Sequence, residues 1–395
     1  VVLLHDWLTG IRGAEKVLDV FCREWPDAVL YTLLHKKNSA TPAIEALKPR
    51  TSFLGYLPFV YRYYRGLLPL MPFAIEWLKL PKCDLVLSSS YCVVKSVHVP
   101  AGTMHICYCH TPMRYAWYME GYFGKWREGD GWRAKLKGWY GMKYRLASMV
   151  MAQLRAWDNR TANRVTHFIA NSKTVQKRIL DCYGRSSEVI YPPVDTDYYC
   201  PAPVQREDFY LIVSAFVPYK RLDVALEACK ILGRNLIVIG DGHDHTRLRQ
   251  LKGPTIQFLS RQPDEVVRDH FRRCKALLFP GEEDFGIVPV EAQACGAPVI
   301  AFGKGGATET IIPLHHNDGN PTGVWFEQQT AESMMAAIQL FEKHEKGFNP
   351  QFIRTHATKF NRKRFETEIL DYIAGKKDGI VQRTQYTQKL SNLQQ

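Results

Sequence analysis

Residues 281–296 read GEEDFGIVPVEAQACG and set two carboxylates, Glu283 and Glu291, eight positions apart. Proline is tolerated in a helix only in the first turn, so Pro289 predicts a helix starting near Gly286. Glu283 then precedes the helix, and Glu291 lies in its second turn. The backbone N–H groups of Asp284, Phe285, Gly286 and Ile287 are left for an anion at the positive helix end. At 1.5 Å per helical residue the two carboxylates lie at most ~12 Å apart. That span suits a sugar diphosphate nucleotide, with sugar hydroxyls on Glu283, ribose hydroxyls on Glu291 and the diphosphate on the amides between.

Short apolar runs flank this unit at 276–279 and 299–301. Strand, loop, helix and strand in succession is the repeat of a parallel sheet covered by helices. The same rhythm fills the chain. Further strands are predicted at 1–5, 28–34, 83–89, 104–109, 165–170 and 189–192, then at 210–214, 235–239, 255–259 and 323–326, with a helix at 14–24 among those between. Four prolines within 192–203 interrupt both halves, and a polar, proline-rich run is a domain join. The fold class is therefore α/β, with two doubly wound domains at 1–195 and 205–350. A last helix at 351–375 returns to the first domain, and a polar tail occupies 376–395.

The 395 residues are too many for one core and suit two. Hydrophobic content of 46% and charged content of 23% are those of a globular protein. No apolar stretch reaches the ~20 residues of a membrane span. The opening VVLLH reads as a first strand and not as an export leader. Ten scattered cysteines without a CxxC pair indicate reduced thiols and a cytoplasmic setting. Cys107 and Cys109 share a strand face, but no second pair completes a metal tetrad.

A net charge of +13 implies an anionic partner. The excess is concentrated at 113–164, where eleven Lys and Arg face four acids among many Trp and Tyr. Such a mixture suits an anionic membrane surface. Single-stranded nucleic acid and a plain solvated helical face compete for the same residues.

Three loops carry chemistry at the carboxyl ends of predicted strands, where open α/β sheets bind ligands. Gly10 and Gly13 flank the first, HDWLTGIRGAEKVL, and let the backbone approach a phosphate or sugar. CYCHTPMRYAW sets His110 at the end of the fourth major strand. SAFVPYKRLD sets Lys220 and Arg221 at a helix start, where cations oppose the dipole unless an anion binds there. Asp195-Thr196-Asp197 imitates a metal-binding DxD, but it falls in the join and reads as a turn, so no metal is expected.

With its FG and the following AxxxGxPVIA, the E-x7-E segment resembles the donor-binding signature of retaining glycosyltransferases of family 4. HTPMRY resembles the corresponding loop of bacterial O-antigen and exopolysaccharide mannosyltransferases. The likeness extends from Asp6 to about Phe365. It implies the GT-B architecture, two Rossmann-like domains facing across a cleft. It also implies a nucleotide-sugar co-substrate with GDP-mannose preferred, no cofactor, and a polyprenyl-diphosphate-linked saccharide acceptor at the cytoplasmic membrane face.

By that likeness His110, Lys220 and Glu283 are catalytic. Gly10, Gly13, Arg221, Arg261, Asp284, Phe285, Gly286, Ile287 and Glu291 bind the donor. Two departures stand out: Arg12 precedes Gly13 where paired glycines are usual, and Ala215 occupies a position commonly held by arginine. A UDP-sugar donor, a nucleotide-sugar epimerase and a non-catalytic RNA- or membrane-binding scaffold remain alternative readings.

Overall fold

The computed structural model describes residues 1–118, 139–314 and 319–376, with side chains from 145 onward in the helix that begins at Trp139. Two parallel sheets organise the chain. The first joins β1 (Val2–His5), β2 (Val29–Thr32), β3 (Arg50–Thr51), β4 (Leu85–Ser90), β5 (Met104–Cys109), β6 (His167–Ala170) and β7 (Ser187–Val189) in the order β3-β2-β1-β4-β5-β6-β7. The second joins β8 (Tyr210–Val213), β9 (Leu236–Ile239), β10 (Ile256–Leu259), β11 (Ala276–Phe279), β12 (Val299–Phe302) and β13 (Gly323–Phe326) in the order β10-β9-β8-β11-β12-β13. Each order reverses once, between β1 and β4 and between β8 and β11. Such a switch point opens a crevice beyond the strand ends. The doubly wound α/β expectation therefore holds.

The central strands are buried almost throughout, which is why they read as unbroken apolar runs. Six helices position the site or join the halves: α1 (Gly13–Glu24), α2 (Trp139–Thr161), α3 (Lys173–Tyr183), α4 (Leu222–Leu232), α5 (Ile287–Ala294) and α6 (Pro350–Thr358). A seventh, α7, occupies 362–376. The helix predicted to return as one piece is thus two. Ile353 of α6 and Ala357 stay in the cores of the second sheet, whereas Phe365, Ile369 and Ile373 of α7 pack with Leu3, Val17 and Phe21 of the first. Asn361 causes the break, because its side chain accepts the N–H of Arg364 at 2.8 Å and starts a new helix.

The chain crosses between the halves at two places, and these are tied to each other. Val194 donates its N–H to the Phe360 carbonyl at 3.0 Å, and Val194 forms a parallel bridge with Asn361. In the same join Asp195 accepts the Tyr198 N–H at 3.0 Å, closing a turn. One strand was not anticipated and one other sequence reading shifts. β3 has only two residues and shows no apolar run, and the strand predicted at 189–192 forms as Ser187–Val189, because prolines at 192 and 193 cannot extend a ladder.

Candidate active site

The switch point of the second sheet brings together the residues singled out from its sequence. Lys220 ends the loop after β8 and Glu283 lies in the loop after β11, neighbouring strands on either side of the reversal. Their Nζ and Oε1 atoms are 2.6 Å apart. The approach is close along the backbone too, since a Cβ at Gly281 would lie 2.9 Å from the Lys220 Cα. Arg221 follows in the left-handed region at φ +50°, an unfavourable conformation for a long side chain that is typical of functional loops. Its guanidinium meets Asp223 at 3.3 Å.

Helix α5 starts at Ile287, one residue past the predicted position, after Gly286 at φ +83°. No side chain caps it. The turn of Gly305 and Gly306 packs onto this loop: Gly306 donates its N–H to the Glu283 carbonyl at 2.8 Å, and a Cβ on Gly305 would lie 2.4 Å from that oxygen. The carbonyl of Glu283 is thereby fixed by that turn. The ring of Phe285 is buried against Tyr191 and Phe360, which fixes the loop that carries its backbone N–H. Arg261 is exposed just beyond β10.

The first domain supplies partners that sequence reasoning missed. Lys16, from the first turns of α1, pairs with Glu291 and lies 5.7 Å from the Tyr199 ring. Burial works to lower the Lys16 ammonium, but the adjacent Glu291 outweighs it and holds the pKa above the ordinary lysine value. Asp284, assigned to the donor from sequence, is clasped by Arg114 and Arg178 across the cleft. Glu309 accepts the N–H groups of Lys173 and Thr174 at 2.8 and 3.1 Å, placing a carboxylate from the second half on the first turn of α3. At the mouth of the first glycine loop Gly13 faces Ile287 of the second half, whose Cδ1 would lie 2.9 Å from a Cβ at that position. Gly10 adopts φ +150° with open space around it.

His110 sits just past β5, nearly buried, with Nε2 2.8 Å from Ser89 Oγ. Ser89 Oγ in turn lies 3.1 Å from His5 Nδ1, and His5 Nε2 is 3.7 Å from Glu15. Glu15 accepts the Arg12 N–H at 2.9 Å. A chain of polar groups therefore runs from the Arg12–Gly13 loop to His110. Burial, aided by His5, pushes the His110 pKa down to about 3, so its imidazole is neutral at ordinary pH. Asp6 accepts four backbone N–H groups from residues 91–94 at 2.7 to 3.0 Å and ties the loops after β1 and β4 together. Burial raises its pKa, and those amides and His5 only partly offset the effect.

The basic segment at 113–164 divides in two. Residues 119–138, with Lys135 and Lys137, lie outside the described residues, as does the side chain of Lys143. In the described part four side chains are used internally, while Arg145 and Arg160 are exposed: Trp117 donates to Asp158 at 2.7 Å, Trp157 to Glu76 at 3.0 Å, Arg155 to the Ala116 carbonyl at 2.9 Å, and Arg164 pairs with Glu76 at 3.0 Å.

Comparison with known proteins agrees with this geometry. The profile of Glycosyltransferase Family 4 matches residues 11–198, and that of Glycosyl transferases group 1 matches residues 201–357. The chain is 32% identical over 156 residues to an uncharacterized glycosyltransferase of Methanocaldococcus jannaschii, covering 38% of this chain and 41% of that protein. It is 23% identical over 266 residues to the alpha-1,3/1,6-mannosyltransferase ALG2 of Candida glabrata, covering 50% and 57%. It is 28% identical over 200 residues to the D-inositol 3-phosphate glycosyltransferase of Gordonia bronchialis, covering 42% of each. These matches span between two fifths and three fifths of the relatives' own length. Among solved structures, Anabaena HepE in complex with UDP superposes with a TM-score of 0.64 at 16% identity, over 95% of this chain and 99% of that one. Sucrose-phosphate synthase from Thermosynechococcus elongatus gives 0.69 at 13% identity, over 96% and 99%. At such identities the superpositions establish a shared fold.

Proposed function

We propose that this chain, whose first half matches the Glycosyltransferase Family 4 profile and whose second half matches the Glycosyl transferases group 1 profile on a GT-B fold, transfers a hexose from a nucleotide sugar with retention of configuration. The preferred donor is GDP-mannose, and the acceptor is a polyprenyl-diphosphate-linked saccharide at the cytoplasmic membrane face, in surface polysaccharide synthesis. The observation that carries the reading is the Lys220–Glu283 pair at the switch point, beside the bare start of α5.

Departure of the nucleoside diphosphate leaves positive charge on the anomeric carbon and negative charge on the leaving oxygen. Lys220, Arg221 and the amides at the start of α5 stabilise that oxygen, which takes the acceptor proton on the same face. Glu283 aligns the sugar hydroxyls, and Glu291 exchanges Lys16 for the ribose. Neutral His110 donates or accepts a hydrogen bond at the sugar without adding charge. These groups supply the charge stabilisation of the step, and the proposal invokes no metal.

The mannosyl preference draws on the HTPMRY loop and the match to a mannosyltransferase over half of the chain. A UDP-sugar donor is the second reading, favoured by the fold shared with HepE, which was crystallised with UDP-glucose. A thermal-shift panel of GDP, UDP and ADP sugars separates them, because a ligand at 100 times Kd stabilises by ~2.7 kcal/mol. Proton NMR of the product then reports the anomeric configuration. An inverted product, or a shift with none of the nucleotide sugars, rejects the proposal.

A further inference from the structure

Residues 48–82, which include the edge strand β3, form a layer flanking the first sheet that the proposed chemistry does not use. Its elements are short: Phe53–Tyr56, Val60–Tyr63, Tyr64–Leu70 and Met71–Glu76. One side is core, with Leu54, Val60, Leu68, Met71 and Ile75 buried against β1 and β4 residues. The other side is aromatic and open to solvent. Tyr56 is 81% exposed, Phe59 76%, Trp77 74% and Phe73 58%. The two ends of the layer meet, since the rings of Phe53 and Trp77 are 5.7 Å apart. Isolated exposed apolar side chains are ordinary, but seven exposed aromatic rings within residues 53–77 mark an interaction surface. Phe59 also holds φ +53°, which disfavours a bulky side chain, and a strained backbone that presents a ring to water needs a use.

The charge around these rings selects the partner. Lys48, Arg50, Arg62, Arg65, Lys79 and Lys82 are all exposed, against a single acid, Glu76, which Trp157 and Arg164 already hold. Arg62 lies over the Phe59 ring at 5.8 Å and Arg65 over Tyr64 at 5.3 Å, so cations and rings are interleaved. Rings that enter an interface and cations that stay at headgroup level are the composition of a bilayer-docking surface. The layer also adjoins the cleft. Tyr64 packs on Trp7, just past β1, with ring centroids 5.4 Å apart, and Tyr61 donates to the His35 carbonyl, the residue that bridges to Leu8.

We propose that the surface of Tyr56, Phe59, Phe73 and Trp77, with Arg62 and Lys79, docks this protein on an anionic lipid bilayer and brings the cleft to a membrane-borne acceptor. The surface is distinct from the 113–164 segment, and its link to catalysis rests on the lipid-linked acceptor proposed above.

The test uses the full chain and vesicles of neutral phosphatidylcholine, with and without 30% phosphatidylglycerol. Sedimentation should show binding to the anionic vesicles that weakens as salt rises, since screening shortens the attraction to about 8 Å at physiological ionic strength. Each cation contributes about fivefold, so Arg62→Ser with Lys79→Ser should lower partitioning about 25-fold at low salt. Phe59→Ser with Trp77→Ser should remove the salt-resistant remainder. Amide exchange on the native protein checks the same surface without substitution, with slowing expected at 53–79 on adding anionic vesicles. Unchanged partitioning of both folded variants, or slowing confined to other segments, overturns the proposal. A concentration-dependent dimer that Trp77→Ser abolishes, without vesicle binding by the parent, assigns the surface to a second copy and also overturns it. Turnover on a short soluble acceptor is read separately: its absence with vesicle binding intact counts against the transferase reading and leaves the surface standing.

Discussion

Lys220 and Glu283 lie at opposite sides of the switch point of the second sheet as an ion pair 2.6 Å apart, and neither belongs to its apolar core. Glu283→Ala and Lys220→Ala should each lower transfer ~10² to 10³-fold, the loss typical of removing one charge-stabilising group from a preorganised site. The circular dichroism melt should stay within a few degrees of the parent. Transfer at the parental rate in either folded variant removes that residue from the mechanism. His110 gives a second expectation at this scale. Its folded pKa of about 3 lies below the ~6.5 of an unfolded histidine, so the unfolded chain takes up the proton first as pH falls. Its contribution to stability is intact above about pH 6.5 and is lost as pH falls toward 3, by up to about 1.4 kcal/mol per pH unit. His110→Gln should flatten the fall in stability between pH 6 and 4 by up to one proton, measured by urea unfolding. The raised Asp6 acts in the opposite sense and is common to both proteins. A slope identical in parent and variant shows that His110 titrates normally. Glu283, Glu291, Lys220 and His110 were legible in the sequence because each belongs to a short motif at a strand end. Lys16, His5 and Ser89 were not, since each meets its partner only after loops distant in the chain come together.

At the scale of elements, the loop of Glu283 is shaped by the glycines of another loop. Gly305 has φ +67° and no room for a Cβ beside the Glu283 carbonyl, so Gly305→Ala combines backbone strain with a clash. It should destabilise the fold by ~1 to 3 kcal/mol and weaken donor binding together, checked by denaturant unfolding and calorimetry. Parental stability with parental donor affinity would show that the loop yields freely. The long strands announced themselves because central parallel strands are buried on both faces and read as apolar runs. β3 gave no such signal, with two residues, one of them exposed. The break between α6 and α7 was signalled by Asn361, a good first cap that a purely periodic reading passes over. The aromatic layer at 48–82 was invisible as a surface, because sequence does not say which side of a mixed aromatic run faces the core.

At the scale of the molecule, three carboxylates of the second half are each satisfied by the first: Glu291 by Lys16, Asp284 by Arg114 and Arg178, and Glu309 by the start of α3. Partly exposed pairs contribute ~0.2 to 1 kcal/mol each, so Glu309→Ala alone should shift the balance toward an open cleft by less than about fivefold. Glu309→Ala with Arg178→Ala should shift it further, and more so at low salt. Fluorescence transfer between dyes on the two halves reads the change. An unaltered distance distribution in the double variant shows that apolar contacts, such as Gly13 on Ile287, keep the cleft shut. The two parallel sheets and the loops beyond their strand ends were legible from the alternation of strands and helices, whereas the strand order that makes each switch point was not. The clasps were not, because they depend on how two separately folded halves are oriented.

The bridge between Val194 and Asn361 bears on how that cleft can move at all. Two bodies joined by separate tethers can slide, twist and swing, whereas here the tethers are hydrogen-bonded side by side and act as a single leaf. Sliding of one half past the other has to break this pairing, so the two crossings share a single pivot, and a substitution on either one, such as Asn361→Ala, should alter the opening of the cleft through the other.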